Sequence, residues 1–336
     1  MNAQSHQGDA APLKGAWLRR QGRRALASEY LVLALSVAYF LVLLPWLPEL
    51  AHPRNLANLF SRMLPLLLVA MGQTFVLIAG GIDLSVTAVI GLTSVLGASL
   101  MTADGGWMAG HAAAVPAGIA LMLLTGALLG AANGAAVTGL RMPPFMVTLT
   151  SMMFLGGLAV WLTQSQRITG LPPAFLALGG KPACAFGLTL GAALFAHLLL
   201  SRSLFGRWLY AIGHNPRVAA ISGVPVPTVT LAAYVLSGIS GACAAILFTG
   251  RLETGSPVHG REILLDVIGA TVIGGTSLFG GKGKILWTLY GVLFLTLVDA
   301  SLNLMFLSDF AIRMVKGALI LLAALIDALR HRYETA

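Results

Sequence analysis

Four charged side chains, Asp266, Asp299, Arg313 and Lys316, sit inside long apolar runs, where an unpaired charge costs several kcal/mol. Each therefore needs a partner or a wet cavity. Asp299 and Asn303 are four residues apart and share one helix face, and Arg313 and Lys316 share a face of the next run, so Asp299 is expected to pair with Lys316 or Arg313. The rival role for Asp299 and Asn303 is to line a solute path. Gln73 and Asn133 are amides inside other apolar runs, and they either face such a path or bridge helices.

The remaining reactive types do not assemble into a catalyst. The chain has no H-E-x-x-H, no G-x-S-x-G and no carboxylate pair joined to a histidine, and His197 stands by itself in an apolar run. Cys184 and Cys243 also lie in apolar runs and form neither a disulfide framework nor a metal pair. Gly274 to Lys284 (GGTSLFGGKGK) has the flavour of a phosphate loop but fails G-x-x-x-x-G-K-[ST]: Thr276 stands where the first Gly belongs, and Gly283 follows Lys282 where a hydroxyl should bind magnesium. Gly280 and Gly281 read instead as a tight interhelical turn. In Gly80-Gly81-Ile82-Asp83-Leu84-Ser85 the apolar pattern breaks, and Asp83 is placed to cap the helix that follows; the alternative is a buried carboxylate serving a substrate or a proton. No cofactor or metal is expected on this chain.

What must position these residues is a membrane. The 336 residues are 57% hydrophobic and only 10% charged, against about 25% charged in soluble domains. Mean hydropathy is +0.85. Apolar runs begin near Tyr30, Met63, Leu84, Val115, Phe145, Ala183, Val229, Ile263, Ile285 and Phe310, which predicts an all-α polytopic protein of about ten transmembrane helices. The first run, Tyr30 to about Leu47, is longer than a signal-peptide core of about 7 to 15 residues and has no A-x-A site, so it is expected to stay as a span.

The net charge of +9 does not point to nucleic acid, because the basic residues are neither gathered on one face nor interleaved with aromatics. They fall between apolar runs. With the N-terminus inside, the cytoplasmic side collects thirteen Lys and Arg (Lys14, Arg19, Arg20, Arg23, Arg24, Arg141, Arg202, Arg207, Arg217, Lys282, Lys284, Arg330 and Arg332) against six outside (Arg54, Arg62, Arg167, Lys181, Arg251 and Arg261). N-in, C-in follows. The division is a cytoplasmic basic segment over 1–29, one transmembrane domain over 30–329, and a cytoplasmic tail over 330–336. Asp83–Ala98 and Glu262–Gly275 share a weak internal echo in opposite predicted orientations, the mark of an inverted repeat. Gly126, Gly130 and Gly134 recur every four residues, a row that allows close helix packing in lipid.

The long polar loop over 201–228 holds GRWLYAIGHNPRVAAISGVPV. Asn215 is a good N-cap, Pro216 suits the first helical position, and Gly223 suits the left-handed residue after the end. A helix of about two turns is expected over Pro216, Arg217, Val218, Ala219, Ala220, Ile221 and Ser222. So short a helix is marginal alone in water and needs a surface, either lipid or, as its weak basic-apolar split favours, a docking partner.

Taken together, MGQTFVLIAGGIDLSV (Met71 to Val86), GRWLYAIGHNPRVAAISGV (Gly206 to Val224), VIGGTSLFGGKG (Val272 to Gly283) and LNLMFLSDF with VKGALILLAALID (Leu302 to Asp327) resemble the ribose-type family of ABC importer permeases, over about Leu56 to Asp327. The resemblance implies a monosaccharide permease in the bacterial inner membrane. It implies a second permease copy or paralogue, a periplasmic sugar-binding protein, and an ABC ATPase subunit that holds ATP and Mg. Pro216 to Ser222 then corresponds to the coupling helix seated in the ATPase. Thr87, the EILLD stretch before Asp266, and Asp299 depart from the family's usual residues. The alternative class is an ion-coupled secondary transporter, which would have no need of a docking helix.

Overall fold

The computed structural model describes residues 30–335, so the basic segment assigned to 1–29 lies outside the described residues. Each of the ten apolar runs holds a helix: α1 (Leu31–Leu43), α2 (Pro53–Ile78), α3 (Val86–Met101), α4 (Ala114–Gly139), α5 (Pro144–Thr163), α7 (Pro182–Arg202), α10 (Val226–Leu252), α11 (Leu264–Gly274), α12 (Ile285–Leu304) and α13 (Asp309–Thr335). Three more helices, α6 (Pro173–Gly180), α8 (Leu204–His214) and α9 (Pro216–Ile221), lie in the connections.

Six helices among the described residues, α2, α4, α5, α7, α10 and α12, are long and apolar enough to cross a membrane. The rest do not fit the expected uniform set of about ten spans. With 11 residues, α11 is only about 16 Å long, half of a ~30 Å hydrocarbon core. α13 runs through 330–335 as helix. α2 starts at Pro53, ten residues before the apolar run suggested, because His52 accepts from the Arg54 N–H and Pro53 suits the first turn.

The core is built on α10. Its neighbour α4 approaches through the glycine row: a Cβ on Gly126 would meet Ala242 Cβ at 2.8 Å, and one on Gly134 would meet Leu231 Cα at 2.9 Å. α2 lies on α10 with Gly72 against Ser237 and Ser240, and Gly81 against Tyr234. Rising numbers on α2 meet falling numbers on α10, so the two are antiparallel.

α2 to α5 and α10 to α13 repeat one plan. α3 packs on α4, α5 and α10; its counterpart α11 packs on α12, α13 and α2. Because α2 and α10 run in opposite directions, the repeat is inverted, and the echo between Asp83–Ala98 and Glu262–Gly275 falls on the equivalent helices α3 and α11. Both start inside the bundle. Asp83 bonds α10 at Ser237, eleven residues beyond Val226, or about 16 Å along the helix. From there α3 runs to one end of the bundle, where Ile168 and Gly255 form an antiparallel bridge. The segment after Gly255 re-enters along α3, with the Ser256 N–H donating to Ser94 Oγ (3.2 Å) and Gly260 lying on Ile90. α11 then leaves toward the opposite end. Such non-helical backbone is tolerated at membrane depth only because protein covers it.

Candidate functional site

Three glycine-bearing connections interlock at the end of the bundle that carries α9. The Gly281 N–H donates to the Ile78 carbonyl (2.9 Å), and the Tyr210 hydroxyl donates to the Gly283 carbonyl (2.6 Å). Gly80, Gly280 and Gly281 have φ of +81°, +87° and +73°, the left-handed conformation that side chains resist. Gly213 leaves no room for a Cβ between Ile78 and Gly281. Burial pushes the Tyr210 phenol up to about 12. The same cluster is tied to α13, where Asp327 accepts from the Leu278 N–H (3.0 Å) and from Ser277 Oγ (3.2 Å).

The loop over 201–228 contains two helices where sequence reasoning placed one. Ser203 caps α8 by accepting from the Gly206 N–H, and α8 buries Gly206, Leu209 and Ile212. The signal was present in Ser203 followed by Leu209 and Ile212, but the polar loop composition masked it. α9 is stopped at both ends: Asn215 Oδ1 accepts from the Arg217 and Val218 N–H groups (3.0 and 3.1 Å), and Gly223 follows with φ +83°. Pro216 holds the first position. The residues from Asn215 to Gly223 do not share one face. Ala219 is buried against the chain at 3% exposure, whereas Ile221 is 89% and Val218 58% exposed, with Arg217, Ala220 and Ser222 also outward. Any partner therefore meets Val218 and Ile221, and Ala219 belongs to the packing beneath.

Inside the bundle the polar residues brace each other. Asp83 Oδ1 accepts from the Ser85 N–H (3.0 Å) and Ser85 Oγ (2.6 Å) in the turn before α3, where Ser85 rather than Asp83 occupies the N-cap position. Its second oxygen accepts from Ser237 Oγ on α10 (2.7 Å). Asn133 on α4 donates to Ser85 Oγ (2.8 Å), and Gln73 on α2 clasps the Asp83 backbone, donating to its carbonyl (3.0 Å) and accepting from its N–H (3.3 Å). Gln73 and Asn133 are buried in this network and bridge helices. Ser85 and Ser237 were not singled out, because two serines far apart in sequence carry no local signal.

Asp299 pairs with Lys316 (3.2 Å), and Lys316 also reaches Asp266 (2.8 Å), joining α12, α13 and α11. Arg62 stands 3.7 Å from Asp299, and Arg313 pairs with Glu262 rather than with Asp299. Asn303 folds back on Asp299, donating to its carbonyl (2.7 Å). Among the described residues no three His, Cys, Asp or Glu converge as a metal site would require.

Comparison with known proteins places this arrangement. The family model described as branched-chain amino acid transport system / permease component matches residues 55–324. The ribose import permease protein RbsC of Bacillus subtilis (strain 168) is 38% identical over 289 residues, covering 83% of this chain and 86% of the relative. RbsC of Escherichia coli (strain K12) is 32% identical over 321 residues, 91% of this chain and 97% of the relative. The L-arabinose transport system permease protein AraH of the same strain is 31% identical over 310 residues, 90% of this chain and 92% of the relative. No solved structure gives a match.

Proposed function

This chain belongs to the branched-chain amino acid transport system / permease component family, and from that premise we propose that it is the permease subunit of an ABC importer carrying a monosaccharide across the bacterial inner membrane. The chain is a multi-pass membrane protein and not an enzyme; ATP and Mg belong to a separate ATPase subunit. A sugar-binding protein delivers the solute on the outer side. A second permease copy, or a paralogue, closes the path.

The observation that carries this reading is α9. It is a two-turn helix fixed by caps at both ends, with Val218 and Ile221 turned outward, and it is joined through α8 to the ends of α2 and the turn at Gly280-Gly281. A push on α9 is thereby transmitted into the core. In the orientation read here this end is cytoplasmic, supported by its share of the basic residues: Arg141, Arg202, Arg207, Arg217, Lys282 and Lys284 lie in connections at that end. Closure of the ATPase around ATP draws two such helices together, and the permease halves rock about the path as rigid bodies. The inverted repeat supplies two similarly built halves for such a motion.

Proteoliposomes holding this chain, its ATPase and its binding protein should take up sugar only when ATP is supplied. Ribose, L-arabinose and D-allose are the solutes to test first, since relatives of this chain are named for them. Uptake by the chain without the ATPase, or uptake that collapses with a proton or sodium gradient, overturns the reading in favour of ion coupling.

A further inference from the structure

α3 and α11 both begin within the bundle and leave toward opposite ends, and a cleft of about 280 Å³ opens where their beginnings meet. The cleft is lined by Thr87 and Ala88 of α3, by Pro257 and Arg261 of the re-entrant segment with Leu264 at the start of α11, and by Met152, Met153, Gly156 and Gly157 of α5. Its volume lies just under the range of ligand pockets, about 300 to 1,000 Å³.

We propose that this cleft is a sugar-selecting station on the permease itself. It would take a neutral polyhydroxylated ring of monosaccharide size, with Arg261 and Thr87 as the hydrogen-bonding groups. The assignment rests on the permease reading, in which the second copy closes the open side.

Three observations point there. Arg261 is exposed to the cleft and makes no ion pair among the described residues, whereas Arg62, Arg313 and Lys316 all face carboxylates. Its guanidinium therefore keeps donors for a solute. Thr87 Oγ1 holds only a long contact to the Leu84 carbonyl, 3.4 Å, and retains hydrogen-bonding capacity. Gly156 and Gly157 differ from the glycines that pack helices together, although Gly139, Gly187, Gly191 and Gly317 are equally open. A Cβ on Gly126 or Gly134 would strike α10, but one on Gly156 or Gly157 meets nothing within 4 Å. They leave space open instead of drawing helices together. The Met152 and Met153 thioethers offer a soft apolar wall for the C–H face of a ring. By contrast Gln73, Asn133 and Asp83 are buried and engaged, Gln73 with the Asp83 backbone, Asn133 with Ser85 and the Asp83 carboxyl with Ser237.

The test uses the assembled complex in proteoliposomes. Gly157→Leu should reduce ATP-driven sugar uptake at least tenfold, and Arg261→Met should raise the sugar concentration needed for half-maximal uptake several-fold. Met152→Cys, in a chain whose Cys184 and Cys243 are serine, should react with a membrane-impermeant thiol reagent, and the reaction should block uptake. Uptake by Gly157→Leu within twofold of the parent overturns the station. So does a Met152→Cys that never reacts, because the cleft is then lipid-facing or dry; this measurement decides the matter even where Gly157→Leu fails to fold. A parent complex with no ATP-driven uptake instead sinks the importer reading, so the two failures are distinguishable.

Discussion

Ile221→Ser separates docking from folding at α9. Ile221 is 89% exposed and touches little of its own chain, so a surface substitution there should change stability by no more than about 0.5 kcal/mol. Seated in a partner's groove, the same side chain would lose nearly all of that exposure. Burying an Ile is worth about 1.5–3 kcal/mol, so Ile221→Ser should weaken binding of the ATPase by roughly 10- to 100-fold. The contrasting variant is Ala219→Leu. Ala219 is 3% exposed and lies under the helix, and overpacking a full site costs about 1–3 kcal/mol, seen as a lower unfolding temperature. The assay is titration of ATPase subunit onto the permease in nanodiscs, beside thermal unfolding of the free permease. An Ile221→Ser permease that binds its ATPase within twofold of the parent refutes the docking face, as does one that loses its own stability.

The charge cluster at Lys316 should be stringent. Lys316→Met leaves Asp266 and Asp299 without their shared cation and should lower stability by about 3–5 kcal/mol in detergent unfolding, while adding Asp266→Asn and Asp299→Asn should recover much of it. Ser237→Ala removes the donor to Asp83 Oδ2, and leaving that buried oxygen without its partner should cost about 1–3 kcal/mol by the same measurement. The docking of α8 should be sensitive to alkali. The Tyr210 phenol is raised from 10 to about 12, so folding keeps its proton where the unfolded chain would lose it; the stabilisation is full below pH 10 and is lost as pH rises through about 12. Hydrogen exchange of α8 should accelerate over that window, and Tyr210→Phe should abolish the pH dependence.

Much of this architecture is written locally. Nine of the ten apolar runs begin within about three residues of a helix, because hydrophobic length and a preceding Pro, Gly or polar residue are near-neighbour properties. The exception, α2, was misplaced because Arg54, Asn55 and Arg62 dilute its first turns, while capping by His52 and packing against neighbours carry the helix through them. The caps of α9 were equally legible, since an Asn-Pro start and a glycine stop act over one turn. Which side of α9 faces out was not legible, because six residues without a clear apolar stripe do not say what lies beneath them.

The sequence by itself determined that this is an all-helical membrane protein, where most of its apolar helices begin, and that one connection holds a capped two-turn helix. Tertiary structure alone decided the roles of the polar residues. Gln73 and Asn133 suited a solute path as well as helix bridging, and only packing showed Gln73 on the Asp83 backbone, Asn133 on Ser85 and Ser237, 154 residues away, on the Asp83 carboxyl. Likewise Asp266 could claim Lys316 only once α11 lay against α13. A charge or amide in an apolar run must find a partner, but the energy that requires the partner does not name it; the packing of distant helices does.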